Sequence, residues 1–236
     1  MLNSISALFS SIKKTPSSYN LPYGFTFTAH TGCEGMPDNS LDSIRAGATA
    51  GADIVEIDLH FLSDGTPVLK HDAPKASEAD TLPRLDSAFE LLSSLDIKMN
   101  VDVKSTNNLA EVVVLAQKWQ VTDKIFFTGI REEDIAAVKK YAPSVPYYLN
   151  VNVDKRQSTN PAYIKTLIDK VRTNGAVGLN ANFRSCSKEL IEAFRAEGIP
   201  VSLWTANKKS HMRRCLALAP DNITTRKPSV LREIIR

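Results

Sequence analysis

The chain has 236 residues, 43% of them hydrophobic, and 29 basic against 26 acidic side chains leave a net charge of only +3. That is enough apolar matter for a sizeable core, and too little charge imbalance to point to a nucleic acid or another polyanion as partner. Cys33, Cys186 and Cys215 are odd in number and widely spaced, which argues against a disulfide framework or a zinc knuckle and fits a reducing, cytoplasmic setting.

No apolar run reaches the roughly 18 residues of a membrane-spanning helix. At the N-terminus, Leu2, Ile5, Leu8, Phe9 and Ile12 follow helical spacing, and the lysines come after the apolar stretch rather than before it. That order does not make a secretory signal. It predicts a short amphipathic helix closing the bottom of a barrel, with peripheral membrane contact as the minor alternative.

From residue 25 onward, strand and helix patterns alternate. FTFTAH (25–30) reads as a strand and SLDSIRAGATAG (40–51) as a helix. DIVEIDLHF (53–61) is a buried strand, followed by an Asp64-Gly65 turn and the short run PVLKH (67–71). So short a link allows an antiparallel hairpin but not a parallel crossover. Strands at 97–104, 124–130, 145–152, 176–182, 199–207 and 222–225 then each precede a helical segment. With the hairpin arm set aside, eight strands remain, each followed by a helix or crossover. This predicts a (β/α)8 TIM barrel over residues 1–236 as one domain, with a small hairpin insertion at about 62–83 between strands two and three. No GxGxxG loop opens the first helix, so a dinucleotide fold lacks its main signal.

Side chains two apart on a strand face the same way. Glu56 and Asp58 are so spaced on an otherwise apolar strand, and Asp102 and Lys104 repeat the spacing on the next barrel strand. Carboxylates on a buried strand are costly unless paired or metal-bound. At the C-terminal ends of barrel strands, where barrel enzymes carry their chemistry, Glu56, Asp58 and Asp102 form an oxygen-rich set suited to Mg²⁺ or Ca²⁺. Lys104 would neutralise Asp102 and reach a phosphate oxygen. His30 ends the first strand and His71 the hairpin arm, where a proton donor and acceptor would be wanted, and imidazole titrates near neutrality. His60 and His211 fall elsewhere and read as surface residues. Cys33, in the loop after His30, reads as a buried structural thiol rather than a reactive one.

The ordered segments TAHTGCEGMPDNSLDSI, GADIVEIDLHFLSDGTPVLKHD, NVDVK, VSLWTAN and ITTRKP resemble the glycerophosphodiester phosphodiesterase family. The resemblance implies a metal-dependent hydrolase releasing glycerol 3-phosphate and an alcohol from a small glycerophosphodiester. It also implies that His30 and His71 are catalytic, that Glu56 and Asp58 are metal ligands with Asp102 where the family usually has Glu, and that Lys104 and Trp204 bind substrate. Three positions depart from the family pattern: Thr31 replaces an arginine, Asp38 a glutamate, and Arg226-Lys227 follow Thr225 where an acid is usual. Strands one and eight are neighbours in a closed barrel, so Arg226 or Lys227 is a candidate substitute for the missing phosphate ligand. Sphingomyelinase D-type phospholipases share several of these features, which leaves action on lysophospholipids as an alternative. A non-catalytic barrel binding a phosphorylated ligand is a third reading.

Overall fold

The computed structural model describes residues 19–236. The helix expected at the N-terminus lies outside the described residues. In chain order the elements are β1 (Thr26–Ala29), α1 (Leu41–Thr49), β2 (Ile54–Phe61), β3 (Pro67–Leu69), α2 (Leu85–Ser93), β4 (Lys98–Val103), α3 (Leu109–Lys118), β5 (Ile125–Ile130), α4 (Ile135–Tyr141), β6 (Tyr147–Asn150), α5 (Pro161–Asn174), β7 (Gly178–Asn182), α6 (Lys188–Ala196), β8 (Val201–Trp204), α7 (Lys209–Leu218), β9 (Asn222–Thr225) and α8 (Pro228–Ile235). All strands but β3 pair in parallel, and β1 bonds to both β2 and β9, which closes the sheet into an eight-stranded barrel. β3 lies outside it, antiparallel to the far end of β2 with Leu59 opposite Leu69. The expected (β/α)8 barrel with its hairpin insertion is the observed fold.

The helices form for local reasons. Ser40 caps α1 by accepting the Ser43 N–H at 3.1 Å, a contact typically contributing about 1 kcal/mol. Asn160 caps α5, Pro161 opens it, and Gly175 ends it in the left-handed region. Helix α2, which the sequence pattern did not single out, buries Leu85, Ala88, Phe89 and Leu92 completely, at helical spacing. It is the crossover from the insertion to β4, and the insertion therefore ends where α2 begins.

Barrel strands are buried on both sides. On β2, Val55, Ile57 and Leu59 are at most 1% exposed. Val55 faces α1, which approaches so closely at Gly47 that a Cβ there would lie 2.9 Å from Val55 Cγ1. The alternate residues, Glu56 and Asp58, are buried as well but face the barrel interior. That interior is apolar around Ile54, Phe126 and Tyr148 and polar elsewhere. Asn222 donates to Thr26 Oγ1 at 2.9 Å and to Thr28 Oγ1 at 3.0 Å, and it accepts from the Ser202 hydroxyl at 3.1 Å. This pairing removes the desolvation cost of burying those groups.

Candidate active site

Two cavities open at opposite ends of the barrel. One, of about 350 Å³, sits among Tyr23, Ile54, Phe126 and Tyr148 near the N-terminal ends of the strands. The other, about 670 Å³, is lined by His30, Glu56, Asp58, His71, Asp102, Lys104 and Trp204. Seven of the eight residues singled out by the sequence pattern thus line one cavity, at the C-terminal end of the strands. Arg226 is the eighth.

Register explains the carboxylate cluster. Asp58 pairs with Asp102 across β2 and β4, and Glu56, two residues earlier, pairs with Asn100. One oxygen from each of Glu56, Asp58 and Asp102 lies within 4.8 Å of the others. Burial pushes the Glu56 carboxyl up to about 7, with His30 opposing the shift and Asp58 and Asp102 adding to it. Three hard oxygen donors held together, Glu56 and Asp58 buried and Asp102 half-buried, fit a divalent cation. Lys104 is the cation the chain itself supplies. Its Nζ lies 3.1 Å from Asp58 Oδ1 and also contacts Asp102 Oδ2. Burial works against its charge, but attraction to Asp102 and Asp58 outweighs that and holds the ammonium above its usual range.

The loop after β1 orients the cluster. The Thr31 N–H donates to Glu56 Oε2 at 2.8 Å, and the Thr31 hydroxyl accepts the Asn39 N–H. Asn39 in turn donates from Nδ2 to Asp58 Oδ2 at 2.8 Å and accepts the Asp58 N–H at 2.9 Å. Thr31 is 1% exposed. At this position the chain carries a buried positioning residue, not a cationic phosphate ligand.

Both histidines have their Nδ1 engaged. His30 Nδ1 sits 2.9 Å from the Thr31 carbonyl oxygen. A carbonyl only accepts, so Nδ1 carries the hydrogen and Nε2 is left for proton exchange. His71 Nδ1 lies 2.8 Å from Asp72 Oδ1, and this hydrogen bond holds the Asp72 carboxyl below its ordinary range. The Lys70 N–H bonds to the Asp58 carbonyl at 3.1 Å, which fixes the insertion over the mouth of the barrel and carries His71 there two residues beyond β3.

Arg226, the expected phosphate ligand, is turned toward Asp38 in this structure. Its Nη1 lies 3.0 Å from Asp38 Oδ1, and it is absent from the cavity wall. Lys227 is exposed. His60 is half-buried, accepting the Phe61 N–H at 2.9 Å, and His211 packs its ring 5.1 Å from that of Phe183. Neither is fully on the surface, and neither lines the cavity. Cys33 is fully buried with its thiol directed at the Ser43 carbonyl, and burial raises its pKa, as for a structural thiol. The sequence pattern gave no sign of Thr128, which donates to Asp102 Oδ1 at 3.0 Å, or of Asn150 and Asn180, which continue the wall on β6 and β7.

A (β/α)8 barrel with a carboxylate trio, a lysine and two histidines at the C-terminal ends of its strands has the make-up of a phosphoric diester hydrolase. The family model for the glycerophosphoryl diester phosphodiesterase family matches residues 30–87 and 75–230, and the chain belongs to that family. A glycerophosphodiester phosphodiesterase of Caldanaerobacter subterraneus subsp. tengcongensis is 21% identical over 88% of this chain and 96% of its own length. Among solved structures, an Oleispira antarctica phosphodiesterase in complex with the product sn-glycerol-3-phosphate superposes with a TM-score of 0.71 at 18% identity, covering 91% of this chain and 96% of its own. The glycerophosphodiester phosphodiesterase of Thermotoga maritima gives 0.70 at 18% identity over 89% and 98%.

Proposed function

We propose that this chain hydrolyses glycerophosphodiesters to glycerol 3-phosphate and an alcohol, with Glu56, Asp58 and Asp102 holding Mg²⁺ or Ca²⁺ and with His30 and His71 moving the protons. The observation that carries this reading is the carboxylate trio, its oxygens within 4.8 Å, in one cavity with both histidines and Lys104. A bound divalent cation would offset the charge of the phosphodiester and stabilise the more negative transition state.

The chain's own residues divide the remaining work. Lys104, already between Asp58 and Asp102, presents a permanent positive charge to a phosphoryl oxygen. One imidazole takes the proton of the attacking hydroxyl at its Nε2 as the new P–O bond forms. The other gives a proton to the departing alkoxide as the old P–O bond breaks. The same arrangement serves attack by water or by the neighbouring hydroxyl of the glycerol unit. Trp204 forms part of the wall against which the substrate rests.

The product-bound Oleispira structure supports glycerol 3-phosphate as the product class. Lysophospholipids fit less well, because the apolar side chains lining the cavity are confined to Val103, Val151 and Trp204 among the described residues. The free, buried cysteines support a reducing, cytoplasmic setting. No helix among the described residues is long and apolar enough to cross a membrane. Assaying chelator-treated protein against a panel of glycerophosphodiesters and a lysophospholipid, with single divalent cations added back, tests the reading. Hydrolysis restricted to the deacylated diesters is expected, and preferential turnover of the lysophospholipid would overturn it.

A further inference from the structure

The cavity wall on β6 and β7 carries a hydrogen-bonding pair that the proposed chemistry does not use. The Gly129 N–H donates to Asn150 Oδ1 at 3.0 Å, and Asn180 Nδ2 donates to the same oxygen at 3.0 Å. Gly129 sits in a register shift of β5 at φ +78°, a backbone shape that suits glycine, and this turns its N–H toward Asn150. A backbone N–H can only donate, so it fixes which end of the Asn150 amide is oxygen. That oxygen then fixes the Asn180 amide. Two free ends remain in the cavity wall, the Asn150 Nδ2 donor and the Asn180 Oδ1 acceptor. Neither has a partner among the described residues, although Asn180 is only 6% exposed.

We propose that Asn150 and Asn180 bind the leaving alcohol, and that the favoured alcohol is a polyol. This rests on the phosphodiesterase reading above and names its substrate class. A hydroxyl group both donates and accepts, so an adjacent donor and acceptor match it. A quaternary ammonium offers neither function. It is bound by aromatic faces and free carboxylates, and Trp204 is the sole aromatic lining residue among the described residues. The rim carboxylates are already engaged: Glu132 with Lys170 at 2.9 Å, Glu133 with Arg131 at 3.9 Å, and Asp134 with the Arg131 N–H at 3.0 Å.

The test compares kcat/KM for glycerophosphoinositol and glycerophosphocholine in the metal-loaded protein, alongside Asn180→Leu and Asn150→Ala. The wild type should favour the polyol diester by about tenfold or more, and each variant should reduce that ratio by about tenfold, the effect of one hydrogen bond left unmade. Equal rates on both diesters, or variants that leave the ratio unchanged, would overturn the proposal. Calorimetric binding of both diesters to the His30→Ala protein separates the two readings. A retained polyol preference without turnover of any diester by the wild type would remove the hydrolase assignment and keep this one. Equal binding would remove this one alone. Should Asn180→Leu fail to fold, the Asn150→Ala ratio and the binding preference decide.

Discussion

Replacing Glu56 with Gln should remove a pH-dependent weakness of the metal-free protein. Glu56 accepts the Thr31 N–H, and Gln can do the same through its carbonyl, so the loop contact survives. In the unfolded chain this carboxyl titrates near 4.5, while in the folded, metal-free protein burial moves it to about 7. Between those values the folded state holds a proton that the unfolded state has lost. Stability therefore falls as pH rises through the window, by about 1.4 kcal/mol per unit and on the order of 3 kcal/mol in all. Asp53, raised by burial to about 6, adds to the same slope, so the difference between wild type and variant is the quantity to read. In chelator, urea unfolding from about pH 4.5 to pH 8 should show Glu56→Gln gaining on the wild type as pH rises, with the gain complete above pH 7. Added Mg²⁺ or Ca²⁺ should stabilise the wild type more at pH 8 than at pH 5.5, and the variant less at both. Parallel pH profiles for the two proteins would refute the argument.

Three further outcomes follow from the site. Removing either imidazole by His30→Ala or His71→Ala should lower kcat by about 10²–10⁴-fold, while cation-dependent thermal stabilisation persists because the carboxylates remain. Substituting Lys104 with Met strips Asp58 and Asp102 of the ammonium that pairs with both. The metal-free protein should lose about 3 kcal/mol, measured by urea unfolding, and an unchanged midpoint would contradict the ion-pair geometry. Arg226→Ala, which removes only a half-exposed contact with Asp38, should leave KM for a phosphodiester within about twofold and shift stability by no more than about 1 kcal/mol.

The parts of the fold written as periodic patterns were legible. Eight buried strands with intervening helical stripes specify a closed barrel, and two-residue spacing on β2 and β4 placed Glu56, Asp58, Asp102 and Lys104 on one interior face. Helix α2 is less legible because it follows directly on the irregular insertion, although its apolar spacing is regular from Leu85 onward. The neighbourhood of Arg226 was also foreseeable: β9 does pair with β1, and Arg226 lies beside the Gly32 loop. The direction of its side chain was not, since that depends on Asp38, distant in sequence but 3.0 Å away in space. Asn150 and Asn180 look like ordinary polar residues of short strands. Their shared oxygen arises from the register of β6 against β7 and from the irregularity at Gly129, neither of which leaves a local pattern.

In the proposed reaction, one acidic cluster, two histidines and a lysine hydrolyse a glycerophosphodiester with a divalent cation. The most direct measurement is release of glycerol 3-phosphate from a glycerophosphodiester by chelated protein, before and after Mg²⁺ or Ca²⁺ is restored. Turnover should appear only with the cation and be lost in Asp58→Asn, whose carboxylate sits between Asn39 and Lys104. Undiminished hydrolysis in chelator, or by Asp58→Asn, would contradict it.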